Sequence, residues 1–127
     1  MLYFIMPIKV VYYADLKGNS PIRSWLLRLP KNIKAKAYSR IMFLSEWGHK
    51  LARPHAAYLE NGIYELRWRF QKSNYRILYF FHRREAVILI HGFTKEDKIP
   101  PADLELALRR KQDFEQNPQK HTYQENN

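Results

Sequence analysis

Cysteine is absent, which excludes a disulfide framework and any thiolate metal site and leaves packing as the source of stability. A chain of this kind suits the reducing cytoplasm. Glycine is scarce, at 4 of 127 residues. None of the glycines forms a phosphate-cradling loop, a dinucleotide fingerprint or a nucleophile elbow, so nucleotide hydrolysis and serine chemistry find no support. The 5 histidines show no H-x-x-x-H spacing, and neither a metal nor any other cofactor is expected. No apolar run reaches membrane-spanning length, and no basic amphipathic helix argues for a membrane surface. The opening Met1-Leu2-Tyr3-Phe4-Ile5-Met6-Pro7 lacks a basic start and is too short for a signal segment. Met6 is a second candidate start, in which case the residues before it are an upstream extension or a short docking strand.

Acidic residues are also few: 12 Asp and Glu stand against 22 Lys and Arg, for a net charge of +10. Such an excess of cations favours a polyanionic partner, because neutralising phosphates releases their counterions. The imbalance is local as well as global. From Leu66 through Arg84 there is no acidic residue, yet Arg67, Arg69, Lys72, Arg76, Arg83 and Arg84 all occur.

Apolar residues make up 46% of the chain, enough for one packed core, and a single domain over 1–115 is expected. Ile8 to Tyr13 reads as an edge strand. Ser20-Pro21 supplies a helix cap and first turn, with Ile22, Trp25, Leu26 and Leu29 at helical spacing. A second helix from Lys31 or Asn32 carries Ile33, Ala37, Ile41 and Leu44 on one face and stops at Gly48; Lys34, Lys36 and Arg40 fall toward the other face. Beyond it Asn61-Gly62 marks a hairpin, and in Ile63–Phe70 the apolar Tyr64, Leu66, Trp68 and Phe70 alternate with Glu65, Arg67 and Arg69. Tyr75–Phe81 and Ala86–Phe93 read as central strands. The pattern predicts an α+β fold: a twisted antiparallel sheet in the order β-α-α-β-β-β-β, an N-terminal helical hairpin on one face, and a C-terminal helix opened by Pro100-Pro101. In that last helix Leu104, Ala107 and Leu108 share a side. Residues 116–127 are polar, with no apolar period, and are expected to be a disordered tail.

A strand face of one charge sign, interleaved with Trp68, Tyr75 and Tyr79, fits a phosphate-binding surface; the plain alternative is a solvated face whose arginines cover aromatic rings. Cleaving RNA through its own 2′-hydroxyl needs a proton removed, a proton donated, and cations around the charged phosphorane. Arg67 and Arg76, on strands expected to be neighbours, suit the last task as a clamp, with Lys95 closing the site after the last strand. The candidates for proton transfer are Glu65, His82, His91, Lys95 and the tyrosines. His91, beside Gly92 at a strand end, has the best location, although a lone histidine there is more often structural, and Glu65 has Arg67 as a ready partner. Arg69, Lys72, Arg83, Arg84 and Lys98 complete the candidate RNA surface.

Three blocks in order resemble a known pattern: Gly62-Ile63-Tyr64-Glu65-Leu66-Arg67, Tyr75-Arg76-Ile77-Leu78-Tyr79, and His91-Gly92-Phe93-Thr94-Lys95 with Lys98-Ile99-Pro100. They are similar to the HigB-type, phage-related branch of the RelE toxin superfamily, over roughly Val10 to Phe114. The resemblance implies a RelE-like fold and a metal-independent endoribonuclease toxin that enters the ribosomal A site and cuts mRNA. It also implies a helix-turn-helix antitoxin of the HigA type, with operator DNA bound only through the toxin–antitoxin complex. By the same resemblance Arg76 falls at the phosphate-stabilising arginine, Arg67 at a basic strand position of the RNA site, and Lys95 at the basic position after the last strand. Glu65 and Glu96 depart from it where relatives carry lysine. Two other classes stay open: a nucleic-acid-binding module without catalysis, and an interaction protein whose basic face meets an acidic partner.

Overall fold

The structure is a computed structural model that describes residues 7–95 and 98–125, and of Lys95 only the backbone. The candidate docking strand before Pro7 and the departure at Glu96 lie outside the described residues. Along the chain run β1 (Lys9–Tyr12), α1 (Pro21–Arg28), α2 (Lys31–Trp47), a 3-10 turn (Gly48–Lys50), β2 (Ala56–Glu60), β3 (Ile63–Phe70), β4 (Ser73–His82), β5 (Ala86–Lys95) and α3 (Pro101–Gln116).

Local chemistry accounts for the helix boundaries. The Ser20 hydroxyl accepts from the Arg23 amide at the start of α1, with Pro21 at the first helical position, where its missing N–H costs nothing. Pro30 separates α1 from α2, and Gly48 closes α2 at a φ of 54°. The four-residue periodicity of α2 buries Ile33, Ala37, Ile41 and Leu44.

The strands form one five-stranded sheet in the order β1-β5-β4-β3-β2. β2 to β5 are an antiparallel meander, but β1 lies parallel to β5, with Val10 opposite Val87 and Tyr12 opposite Leu89. The expected all-antiparallel sheet is therefore corrected to a mixed one. After the meander the chain returns to the edge beside β1 in the same direction, a pairing that only a long crossover permits. The helices also differ from the expected hairpin. Each lies on the sheet, α1 against β5 and α2 against β3, while α3 covers the opposite face against β5 and β4. The result is three layers with two cores: Leu26, Leu44, Leu66 and Ile77 between α1, α2 and the sheet, and Ile63, Leu78, Phe80, Ile90 and Phe114 beneath α3.

The segment after α3 is not the disordered tail expected from its composition. Ala14 donates to the His121 carbonyl at 2.8 Å and Tyr123 to that of Tyr12 at 2.9 Å, so residues 121–123 cover the edge that β1 would otherwise leave open. His121 is buried, stacks on Tyr13 with ring centroids 5.3 Å apart, and has Nδ1 2.8 Å from the Ala14 carbonyl oxygen. Backbone hydrogen bonding holds this segment, and no hydrophobic period announces it.

Burial raises the phenol pKa of Tyr79, helped by Tyr64 and Glu65; it also raises Tyr12, helped by Tyr38, and Tyr13, helped by Asp113. A raised folded value stabilises the protein fully below the ordinary tyrosine pKa of about 10 and loses that contribution as the pH climbs through the folded values. Urea midpoints should therefore hold steady from about pH 8 to 9.5 and fall above about pH 10, with a smaller fall in Tyr79→Phe. An unchanged midpoint at about pH 11 would contradict the burial of these phenols.

Candidate nucleic-acid interface

The β3–β4 hairpin turns at Gln71-Lys72, with Gln71 at a φ of 55°, and this turn sets the register that places Arg67 directly opposite Arg76. On the next strand Phe93 stands opposite Arg76, so Arg67, Arg76 and Phe93 form one row across the sheet. Glu65, Leu78 and His91 form the next row, and Arg69, Asn74 and Lys95 the one on the other side. With side chains alternating across a sheet, Glu65, Arg67, Arg76, His91 and Phe93 share one face, the one that α3 partly covers.

Glu65 organises the two arginines. Only 3% exposed, its carboxylate takes Arg76 Nη1 on one oxygen and lies 3.4 Å from Arg67 Nε on the other. Arg76 is itself 8% exposed, whereas the Arg67 side chain keeps about a third of its surface open. One carboxylate between two guanidinium groups leaves a net single positive charge. Arg76 is fixed by a charge-assisted hydrogen bond of the stronger kind, and Arg67 by the longer ion pair. Arg76 is thus a buried, ion-paired group, and Arg67 is the one that meets solvent.

His91 lies two residues from that row. Its Nε2 is 2.6 Å from Asp103 Oδ1 in the first turn of α3, and its ring stacks on Phe93 at 5.4 Å. The contact ties α3 to the sheet and leaves Nδ1 as the other ring nitrogen. Nothing in the sequence paired Asp103 with His91; the separation of 12 residues crosses the loop after β5.

At the open end of β3 a cleft of about 230 Å³ is lined by Arg40, Pro54, His55, Arg67, Trp68, Arg69, Asn74, Tyr75 and Arg76. β2 pairs with β3 only as far as Leu66, and the Arg67 amide then donates to the His55 carbonyl at 2.8 Å. Beyond that point β3 has no neighbouring strand on this side among the described residues, and Arg40 of α2 with Pro54 and His55 forms the other wall. Arg40 and His55 were missed from the sequence. Arg40 reads as a solvent-side residue of α2 until the packing of α2 on β3 is known.

The remaining candidates divide. Arg69 lines the cleft, and Lys72 is exposed in the hairpin turn beside it. Arg83 and Arg84 lie in the β4–β5 turn at positive φ, at the opposite end of β4. Seven residues of strand at about 3.3 Å each put Arg83 more than about 20 Å from Arg76, so this pair does not join the cluster. Lys98 is exposed ahead of α3. Lys95 ends β5 opposite Asn74, and its side chain lies outside the described residues. Among the described residues no helix is long and apolar enough to cross a membrane.

No curated protein matches the sequence as a relative. A family model does: residues 24–112, from α1 to the middle of α3, match the phage-derived protein Gp49-like family. The match takes in Arg40, the Glu65–Arg67–Arg76 cluster, His91 and Asp103, and it spans more than two thirds of the chain. The chain belongs to the Gp49-like family of phage-derived, toxin-like proteins.

Proposed function

We propose that the protein is the toxin of a type II toxin–antitoxin system, a HigB-like, RelE-type endoribonuclease that cuts mRNA on the ribosome and so stops translation in the cytoplasm. The observation that supports it most is the register pairing of Arg67 with Arg76, both held by Glu65 at the mouth of a cleft whose charged lining among the described residues is cationic. Membership of a toxin-like family adds weight. In this mechanism the RNA supplies its own nucleophile, the 2′-hydroxyl. Arg67 and Arg76 carry the growing charge of the phosphorane, and Lys95 closes the site from the end of β5. His91 is the candidate for moving a proton, with Asp103 fixing its ring. No metal takes part. The antitoxin is a helix-turn-helix protein of the HigA type that covers the basic face, and operator DNA is bound through that complex.

A second reading is a nucleic-acid-binding module that keeps the surface and has lost catalysis. Two observations favour it: Glu65 already occupies the fork of Arg76, and the Nε2 of His91 is committed to Asp103.

Induction in growing bacterial cells separates the two. A toxin arrests growth and leaves mRNA with new ends within coding sequence. Arg67→Gln, at a partly exposed position, should abolish both while leaving the free energy of unfolding in urea within about 1 kcal/mol of wild type. Folded, abundant wild-type protein that binds ribosomes yet leaves growth and mRNA intact would instead establish the binding module.

A further inference from the structure

Two residues that line the cleft carry buried donors with no acceptor among the described residues. Trp68 is 4% exposed and its indole Nε1 has no hydrogen-bond partner; the Nε of Arg40 is likewise buried and unpartnered. Leaving such a group unsatisfied costs about 1–3 kcal/mol, and native structures keep few of them. Both residues line the same space as the part-exposed Arg67 and as Arg69, whose Nε alone is engaged locally, on the Gln71 carbonyl. Among the described residues no carboxylate lines this space. Trp68 is held in place by stacking on Tyr75, with ring centroids 5.6 Å apart, and Arg40 by its packing over Phe43 at 5.7 Å. A ligand that completes this set must bring acceptors and negative charge, and few donors of its own. A phosphodiester oxygen pair meets that description.

We propose that the cleft between α2 and the free end of β3 holds, beside the Arg67–Arg76 row that borders it, a backbone-phosphate subsite in which Arg40 and the Trp68 indole N–H hold the phosphate adjacent to the reacting one. It rests on reading this face as an RNA surface, but not on cleavage. Arg40 reaches the strand from α2 and Arg69 from β3, so the bound RNA runs along the open edge of β3, where no neighbouring strand among the described residues bars it. Arg67 stands between the two sites. The cleft therefore sets which phosphate of the strand lies against Arg76.

The test is binding of a short fluorescein-labelled single-stranded RNA to the full chain over a series of salt concentrations. Arg40→Gln should weaken binding about 3- to 10-fold and lower the slope of log affinity against log salt by about 0.7, one single-strand phosphate. Lys120→Gln, which removes an exposed charge elsewhere, should leave the slope unchanged. In parallel the indole N–H resonance of Trp68, assigned with Trp68→Phe, should shift on adding inorganic phosphate and less so in Arg40→Gln. Equal slopes for Arg40→Gln and Lys120→Gln, or a Trp68 resonance indifferent to both phosphate and RNA, would overturn the subsite. So would displacement of phosphate by poly-glutamate in a protein that does not bind RNA, since the cleft would then serve an acidic protein. Arg40-dependent binding without growth arrest would refute the toxin and keep the subsite. Arrest with an Arg40-independent slope would do the reverse.

Discussion

Arg76→Ala should lose about 3 kcal/mol of folding stability, at the lower end of what breaking a buried ion pair costs. The loss comes less from the arginine than from what it leaves behind. Glu65 is 3% exposed, and without Arg76 its carboxylate keeps, among the described residues, the charge of Arg67 alone, at 3.4 Å and on the other oxygen. A charge in that position has been stripped of water and then of its main partner. Urea unfolding at neutral pH reads the loss directly, and the melting temperature should fall by about 10 °C. The double variant Glu65→Gln/Arg76→Gln removes both charges together and should recover most of the loss, because the cost lies in the orphaned carboxylate. A single variant as stable as wild type would mean that the pair is solvated and its geometry incidental.

The same cycle protects the functional experiment. Loss of growth arrest in Arg76→Ala alone is ambiguous, since a destabilised toxin is also a scarce one. A folded Glu65→Gln/Arg76→Gln protein that no longer arrests growth isolates the chemistry. Glu65 then appears in its proper part: it holds two guanidinium groups in place in advance, at the expense of half of their charge. The departure from lysine that the sequence shows at this position is the residue that builds the cluster.

Some of this was legible in the sequence because local chemistry wrote it there. The limits of β3 follow from the alternation after Asn61-Gly62, and the stripe of α2 from its four-residue period. Once β3 and β4 are known to be a hairpin with a short turn, the meeting of Arg67 and Arg76 is close to forced. The partner of β1 was not legible, since alternation tells which face a residue takes and nothing about which strand lies beside it. Nor was the edge formed by 121–123, whose hydrogen bonds belong to the backbone and leave no mark on side-chain pattern. Arg40, His55 and Asp103 enter the site through contacts between elements distant in sequence. Arg83 and Arg84 lie outside the cleft for the opposite reason: they are close in sequence to Arg76 yet most of a strand length away in space.

Gly92→Ala should be strongly destabilising, although it adds only one methyl group. A Cβ on Gly92 would sit 2.3 Å from Trp25 Cε3 and 2.7 Å from Cδ2, inside the ring's van der Waals surface. Backbone conformation is not the issue, since no positive φ is involved; the glycine is there because α1 packs the Trp25 indole directly against β5 at this residue. Trp25 cannot yield freely, for its ring also meets Trp68 edge-on at 6.3 Å. Overpacking of this kind costs about 1–3 kcal/mol and here belongs at the top of that range. Trp25→Leu should remove most of the penalty, so the double variant should be more stable than the sum of the single losses by about 1–2 kcal/mol. Additive losses would mean that the strain lies in the strand itself. His91 and Phe93 flank Gly92 and face the opposite layer, so a β5 pushed away from α1 also shifts His91 against Asp103. Close packing on the α1 side is thus what holds the sheet's other face in the geometry that the proposed chemistry needs.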